Sequence, residues 1–479
     1  MSVLLQYVNG HEVNYGPAAT LSRQRTAFLN GGAPTLAQRR ADLKKLRGLL
    51  TDHRVDWQAA VAADFGHRAH HETAIMELVP TLAGIDYISR NLRRFMRPER
   101  RYVPALFRMG SARVEYQPLG VVGIISPWNY PINLALMPLA TALAAGNRVM
   151  LKVSEYTPVT SDLMHRLISQ AFDRFQVSVI TGDASIAQEF SRLPFDHLML
   201  TGSTKTGRAV MSAASENLVP VTLELGGKSP VIVAPGRITE HAARRIAYGK
   251  LANAGQTCVA PDYALVHEND VDAFTEAFST ATARLYPNGP DCNSYSTIAS
   301  EAHFDRLTAL IDDARAHGAL ILPVGRNVAQ AANRERTIAP TLILNPAPGM
   351  DVMQEEIFGP ILPIVTYRTL DQAIDYINER PRPLALYYFG PEDDACDRVL
   401  SRTTSGNVGI NSTLMHVAQD DLPFGGIGHS GMGAYHGIEG FRRFSHARGI
   451  YAQGRRNLAD LAQPPYGTAA NALLAWKLG

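Results

Sequence analysis

The 479-residue chain is long enough for two or three domains, and 46% of its residues are apolar, which is ample for buried cores. Its 46 basic and 44 acidic side chains leave a formal charge of +2, so it lacks the strong positive field that binds nucleic acid. The three cysteines, Cys258, Cys292 and Cys396, have no CxxC spacing; they predict neither a zinc site nor a disulfide framework, and they favour a reducing compartment.

The N-terminal residues MSVLLQYVNG lack the basic start and long apolar run of a signal peptide. The most apolar stretch, 132–151, contains Pro138, Gly146 and Arg148. These residues predict a buried helix that ends at Gly146 and is followed by a strand, because a membrane span needs about 20 uninterrupted apolar residues. We therefore expect a soluble, cytoplasmic protein with no nucleic-acid or membrane partner.

The predicted elements change character once along the chain. Leucines and alanines recur at helical spacing over 35–66, and apolar residues over 85–95 place the basic cluster Arg90–Arg101 on the solvated face of an amphipathic helix. Short apolar runs then alternate with helix-length segments, which predicts parallel strands with crossover helices. A second series of this kind follows Cys258 and predicts a second α/β domain, with a boundary near Gly226-Gly227.

Two glycine-rich stretches resemble nucleotide loops. GSTKTGRA (Gly202–Ala209) resembles a Walker A loop, but Arg208-Ala209 replace the closing Lys-Ser/Thr pair. It follows an apolar run and opens a helix, so Ser203 is either a phosphate donor or an ordinary N-cap without a ligand. GIGHSG (Gly426–Gly431) matches GxGxxG but follows Leu-Pro-Phe-Gly instead of a strand, which predicts a loop.

Three residues stand where chemistry is expected. Cys258 lies among small residues in GQTC; a structural thiol, a metal ligand, half of a disulfide and a nucleophile are the alternatives, and a nucleophile must react as the thiolate. Glu224 lies near the end of the apolar run VTLEL, beside two glycines, where a carboxyl group must be paired, protonated or functional. Asn129 in PWNYP either forms a turn or donates its amide into a cleft.

Several motifs together resemble the NAD(P)-dependent aldehyde dehydrogenases. PWNYP, LKVSE, TGSTKTG, LELGGKSP, GQTCVAPDY, QEEIFGPILPI and PFGGIGHSGMGAYHG occur in the order and approximate spacing of that family, from Leu36 to Phe444. CVAPDY and SGMGAYHG are similar to the class 3 type, and the stretch from Asp64 to Arg101 resembles the bacterial coniferyl aldehyde dehydrogenases.

The resemblance implies an α/β fold of the aldehyde dehydrogenase type, with two Rossmann-type parallel-sheet domains and a small β oligomerisation arm. The implied limits are 1–100 and 119–225 for the cofactor-binding domain, 226–420 for the catalytic domain, 101–118 and 421–452 for the arm, and 453–479 for a C-terminal tail. It also implies that Cys258 attacks the aldehyde carbon, that the Asn129 amide and the Cys258 backbone N–H hold the oxyanion, and that Glu224 activates the water that hydrolyses the thioester.

The implied cofactor is NAD or NADP, with NAD favoured because Glu155 repels the extra phosphate of NADP. Lys152 and Glu155 match the residues that bind the adenosine ribose, although LKVSE lacks the proline of the usual KPSE. The other residues of the implied cofactor site are Ser203 at the pyrophosphate, Glu356 at the nicotinamide ribose, Phe358 near the nicotinamide, and Trp128, Gly202, Leu225 and Gly226. No metal site is predicted.

The resemblance implies a homodimer that oxidises an aromatic aldehyde such as coniferaldehyde, or a medium-chain aldehyde, to the acid. The alternatives are a medium- or long-chain fatty aldehyde dehydrogenase of the same class, a non-catalytic structural member, and acyl transfer to coenzyme A. Glu224 disfavours the last of these, because relatives that acylate coenzyme A typically lack this base. Trp57, Trp128, Tyr130 and Tyr435 either line the substrate pocket or pack elsewhere.

Overall fold

A computed structural model describes residues 16–328, 332–455, 460 and 463–479. In chain order its strands are β1 (Glu99–Arg101), β2 (Ser111–Pro118), β3 (Val121–Ile125), β4 (Arg148–Lys152), β5 (Val177–Ile180), β6 (His197–Gly202), β7 (Val221–Leu225), β8 (Pro230–Val233), β9 (Tyr263–His267), β10 (Leu320–Pro323), β11 (Thr341–Leu344), β12 (Ile361–Tyr367), β13 (Ala385–Phe389), β14 (Asn407–Ile410), β15 (Gly431–Met432) and β16 (Ser445–Ala452).

The α-helices are α1 (Pro17–Gly31), α2 (Leu36–Asp52), α3 (Arg54–Phe65), α4 (His70–Thr73), α5 (Val79–Phe95), α6 (Asn133–Ala145), α7 (Pro158–Ala171), α8 (Ala184–Ser191), α9 (Thr204–Ser215), α10 (Glu240–Leu251), α11 (Val271–Leu285), α12 (Glu301–Ala316), α13 (Asp351–Gln354), α14 (Leu370–Asn378), α15 (Asp394–Arg402), α16 (Gly437–Arg443) and α17 (Thr468–Leu478). A π-helical turn, Ala74–Leu78, joins α4 to α5.

The strands form three sheets in the part of the chain that the structure describes. A six-stranded sheet has the order β15-β7-β6-β3-β4-β5 and is parallel except for β15. A seven-stranded sheet has the order β10-β11-β12-β9-β8-β13-β14 and is parallel except for β10. The third sheet, β1-β2-β16, is antiparallel. The predicted α/β fold, with two parallel sheets and a small β sheet, is therefore confirmed.

Helix α6 shows how the sequence determines burial. Because it is apolar on nearly every side, every residue from Leu134 to Ala145 is buried. The helix ends at Gly146, whose φ of 93° is left-handed and favours glycine, and strand β4 follows two residues later. The predicted helix and strand are both confirmed. None of the helices in the described ranges has the length and apolar character needed to cross a membrane.

Helix α5 carries the predicted amphipathic pattern. Ile85, Ile88, Leu92 and Phe95 are all buried, and the arginines at 93 and 94 are exposed. The helix ends at Phe95, so the last arginines of the basic cluster belong to β1 instead. The helical interpretation is confirmed as far as Phe95 and is wrong beyond it.

The chain passes from the six-stranded to the seven-stranded sheet between Leu225 and Pro230. The carboxyl ends of parallel strands meet at one edge of a sheet, so this crossing lies where side chains for chemistry are expected to gather. The domain limits stay predictions. The predicted cofactor-binding domain includes residues 1–15, and the predicted tail includes 456–459 and 461–462; all of these lie outside the described residues.

Candidate active site

Cys258 lies in a tight turn before β9. Just upstream of it, Asn253, Ala254 and Gly255 have positive φ angles of 51°, 50° and 77°. A side chain at Gly255 would lie 2.2 Å from the carbonyl oxygen of Gly359, so only glycine fits there. Left-handed backbone at a non-glycine residue costs about 1–3 kcal/mol and is typical of functional sites. The small residues of the motif thus allow a strained turn that presents the cysteine.

The thiol of Cys258 is close to two carboxyl groups. Burial, followed by the charges of Glu356 and then Glu224, raises its pKa to about 12, and the backbone N–H groups of Cys258 and Val259 oppose this shift. The residue itself retains partial exposure. In the free protein the sulfur is therefore neutral, unlike the thiolate that the reaction requires, and a positive charge placed beside it would be needed to ionise it.

Glu224 lies near the carboxyl end of β7, in the six-stranded sheet. It lies in β7 opposite Thr201 of β6 and Gly431 of β15, and it is 3% exposed. Neither carboxyl oxygen has a hydrogen-bond partner among the residues that the structure describes. Burial raises the pKa of this carboxyl well above 4.5, and the charge of Arg443 opposes the shift. Of the three possibilities that the sequence left for Glu224, a hydrogen-bonded pair is excluded within the described residues; burial favours the protonated form, and the carboxylate can take up a proton once it is ionised.

Asn129 faces the cysteine turn from the other side. It is 3% exposed, and its Nδ2 donates to the carbonyl of Gln256 over 3.1 Å. The next residue, Tyr130, places its hydroxyl 2.6 Å from Oγ1 of Thr257. Both bonds end on residues directly before Cys258, so the structure brings the PWNYP and GQTC motifs together although they are far apart in sequence. The second N–H of the Asn129 amide has no partner among these contacts.

Three tyrosines surround the cysteine. Burial raises the pKa values of Tyr130, Tyr387 and Tyr435, and each also interacts electrostatically with Cys258. The Tyr387 hydroxyl donates to the carbonyl of Val259 over 2.6 Å, next to the cysteine. Trp57, in contrast, is fully buried and donates its Nε1 to the carbonyl of Leu49, so it packs in the helical layer. No sequence pattern marks Tyr387, which lies inside the apolar strand β13.

The residues predicted to bind the cofactor follow the strands of the six-stranded sheet. Trp128 comes after β3, Lys152 ends β4, Gly202 and Ser203 end β6 and open α9, and Leu225 and Gly226 end β7. These ends lie along one edge of the sheet, which is where open parallel sheets bind nucleotides. Leu225 also packs on α9, because a side chain at Gly207 would lie 2.6 Å from it.

Specific contacts link these residues in pairs. Nζ of Lys152 lies 3.2 Å from Oε2 of Glu155. The Trp128 and Phe358 rings meet edge to face with centroids 5.5 Å apart. Glu356 lies on the glycine pair, since a side chain at Gly226 would lie 1.9 Å from its Oε2. Burial raises the pKa of Glu356 to about 8.

Ser203 caps a twelve-residue helix. Its side chain accepts from the N–H of Thr206 over 3.2 Å, so Ser203 is the N-cap of α9, and its contact with a phosphate stays a prediction. Helix N-termini favour phosphate, which makes α9 a suitable place for a pyrophosphate beside Gly202. GIGHSG, by contrast, forms a loop that leads into β15 and is not the start of a helix, as expected.

Comparison with known proteins agrees with this geometry. The model of the aldehyde dehydrogenase family matches residues 18–450. A probable coniferyl aldehyde dehydrogenase of Pseudomonas aeruginosa is 48% identical over 456 residues, which cover 95% of both chains. The coniferyl aldehyde dehydrogenase of a Pseudomonas sp. is 46% identical over 461 residues, again 95% of both chains. A substrate-bound structure of Staphylococcus aureus AldH has a TM-score of 0.90 and 38% identity, covering 96% of this chain and 98% of that one. The resemblance seen in the motifs is confirmed, and the chain belongs to the aldehyde dehydrogenase family.

Proposed function

We propose that the enzyme oxidises aromatic aldehydes of the coniferaldehyde type to carboxylic acids, with NAD as the favoured cofactor and NADP as a second one. The observation that carries this proposal is the convergence of Cys258, Glu224 and Asn129. The two carboxyl groups at 224 and 356 interact with the thiol, and the asparagine amide is hydrogen-bonded two residues away from it.

In this proposal the Cys258 thiol gives its proton to solvent water, and Sγ then forms a bond to the aldehyde carbon while the π electrons of the C=O bond move to its oxygen. The free N–H of the Asn129 amide and the Cys258 backbone N–H donate to the resulting oxyanion; such donors typically contribute about 3–4 kcal/mol each. When bound, NAD(P)+ accepts the hydride that converts the thiohemiacetal into a thioester. Glu224 then takes a proton from water, which attacks the thioester and releases the acid. A carboxyl with a raised pKa suits a general base near neutral pH.

The aromatic surroundings of the thiol support the choice of substrate. Tyr130, Tyr387 and Tyr435 all lie close enough to Cys258 to interact with it electrostatically. Flat rings pack well against such walls, at about 0.5–1.5 kcal/mol per aromatic pair beyond the area buried. Two relatives at 46–48% identity carry the name coniferyl aldehyde dehydrogenase.

The residues near β4 support the preference for NAD. Lys152 is almost fully buried at the sheet edge and is paired with Glu155, whose carboxylate remains partly exposed. In our assignment both hold the adenosine ribose, so the Glu155 carboxylate would repel a phosphate on that ribose. Glu155→Gln should therefore raise kcat/KM with NADP relative to NAD. An unchanged ratio would contradict this placement of Glu155.

We also propose a homodimer formed through the three-stranded sheet. Strand β16 lies at the edge of this sheet, and most of its residues are exposed. An exposed eight-residue edge strand is a ready surface for pairing with a second copy.

The cysteines at 258, 292 and 396 are free, which supports a reducing, cytoplasmic location.

The proposed function is tested by measuring NADH formation with cinnamic, benzoic and straight-chain aldehydes, with and without coenzyme A. We expect the highest kcat/KM with cinnamic aldehydes, the free acid as product and no dependence on coenzyme A. Cys258→Ala should abolish the signal, whereas Cys396→Ala, at a buried cysteine away from the site, should keep it. Preference for straight-chain aldehydes would instead identify a fatty aldehyde dehydrogenase, and a thioester product would identify acyl transfer.

A further inference from the structure

A buried arginine contacts the turn that carries Asn129. Arg68 lies between α3 and α4, and only 1% of its surface is exposed. Its Nη1 donates to Oε1 of Glu77 over 2.9 Å and to the backbone carbonyl of Asn129 over 3.2 Å. A buried ion pair is by itself a weak source of stability, because desolvation offsets the attraction. The position of this pair therefore calls for another explanation.

Glu77 holds the other end of the same turn. Its Oε2 accepts from the backbone N–H of Ile132 over 2.7 Å and of Asn133 over 3.2 Å, where α6 begins. Glu77 itself lies in the π-helical turn Ala74–Leu78, a rare irregularity that is frequent at functional sites. Within the ion pair, Arg68 thus binds the carbonyl of Asn129, and Glu77 binds the N–H groups of Ile132 and Asn133.

The guanidinium of Arg68 also contacts the next residue of the turn. It lies 4.9 Å from the ring centre of Tyr130 and 5.1 Å from that of Phe65, at distances typical of cation–π contacts. The Tyr130 hydroxyl reaches Thr257, and the Asn129 amide reaches the carbonyl of Gln256. One buried cation therefore holds two residues whose polar ends both meet the cysteine turn.

We propose that Arg68 is a positioning residue for the oxidation: paired with Glu77, it fixes the Asn129–Tyr130 turn against the Cys258 turn, so that the asparagine amide faces the reacting oxygen. Arg68 does not touch the substrate in this account. The inference rests on the oxyanion role proposed above for Asn129, and it extends the site to a segment, 66–78, that lies outside both parallel sheets.

A double-mutant cycle tests the inference. Arg68→Met removes the guanidinium but keeps much of the side-chain length, and we expect kcat to fall by about 10–100-fold, as for misplacement of a reacting group. The dissociation constant of NAD should stay the same. With Asn129 already changed to Ala, Arg68→Met should lower kcat by less than about threefold, since residues acting as one unit are strongly non-additive.

Arg39→Met is the matched control. Arg39 is 3% exposed, and its Nη1 donates to the carbonyl of Ala144 over 2.9 Å, at the far end of the same helix α6. Its loss should lower the melting temperature in a similar way, but its effect on kcat should be the same with Asn129 present or replaced. A purely structural role for Arg68 would make the two arginines behave alike.

The outcomes separate the two proposals. If Asn129→Ala alone retains full kcat, the oxyanion role fails, and the positioning role fails with it. If Asn129→Ala is impaired but the effect of Arg68→Met is as large in that background as in the wild type, only the positioning role is overturned. Should Arg68→Met fail to fold, Glu77→Gln replaces it in the cycle, because it removes the ion pair while keeping the shape, and the same non-additivity is expected.

Discussion

Replacing Glu224 by glutamine should stop the enzyme after its first turnover. The base is needed only to activate the water that hydrolyses the thioester, so bond formation at Cys258 and the first reduction of NAD should proceed. Loss of a general base typically costs about 10²–10⁴-fold in the step it serves. Within the described residues, neither oxygen of Glu224 makes a hydrogen bond that glutamine would lose, so the free energy of unfolding should change by about 1 kcal/mol or less.

The pH dependence of kcat tests the same assignment of Glu224 independently. Because burial raises the pKa of Glu224 well above 4.5, only its ionised fraction is active as a base, and this fraction rises about tenfold per pH unit below that pKa. When hydrolysis limits turnover, kcat of the wild type should therefore increase with pH at a slope close to one on logarithmic axes. Glu224→Gln should remove this slope, because an amide does not titrate in this range.

Rapid-mixing measurements of NADH absorbance provide the assay. Glu224→Gln should give a burst of about one NADH per active site followed by a slow phase, and intact mass spectrometry should show an acyl group on Cys258. Glu216→Gln, at the exposed end of α9, is the control and should show wild-type kinetics. Full steady-state turnover without a burst in Glu224→Gln, or an unchanged pH slope, would refute the assignment of Glu224 as the base.

Three further predictions concern the thiol, the carboxyl group of Glu356 and the glycine beside it. In the cofactor-free enzyme the pKa of Cys258 is about 12, so alkylation by iodoacetamide should speed up by about tenfold per pH unit from pH 7 to 10; a plateau near pH 8 would contradict this. The folded-state pKa of Glu356, about 8, lies above its usual value of 4.5, so the stability that its protonated form contributes is lost as pH rises between these values. Over this range the free energy of unfolding of Glu356→Gln, measured in urea, should rise relative to that of the wild type by at most about 1.4 kcal/mol per pH unit. A difference that does not change with pH would contradict the burial of this carboxyl. Gly226→Ala places a methyl group 1.9 Å from Glu356 Oε2 and should weaken NAD binding about tenfold or more in calorimetry, whereas Gly349→Ala, with nothing within 4 Å, should not; equal affinities would place the cofactor elsewhere.

Sequence patterns predicted most of the scaffold because burial controls it. Helix α6 is apolar on nearly every side, and its end at Gly146 follows from the left-handed conformation there. The loop at Gly426–Gly431 was also predicted, because Leu-Pro-Phe-Gly precedes it in place of a strand. The end of α5 was less predictable, since arginines occur equally well on a helix surface and in an exposed strand such as β1.

The identity of the candidate site could be predicted, but its electrostatics could not. Cys258, Glu224 and Asn129 stand out by residue type, whereas the pKa of the thiol depends first on its burial and then on the charge of Glu356, neither of which a local pattern encodes. Arg68 was missed for a similar reason. In sequence it is one of many arginines, and only the fold shows that it is buried against the carbonyl of Asn129.

The neutral sulfur of the free enzyme has a consequence beyond turnover. Peroxides attack thiolates, so a cysteine that is protonated in the free enzyme is a poor target for irreversible oxidation as long as its pKa stays near 12. We expect the enzyme to survive an oxidative burst best when it is idle and to become vulnerable only while it works. The Cys258 sulfur would then be open to oxidation only during the part of each catalytic cycle in which it is a thiolate.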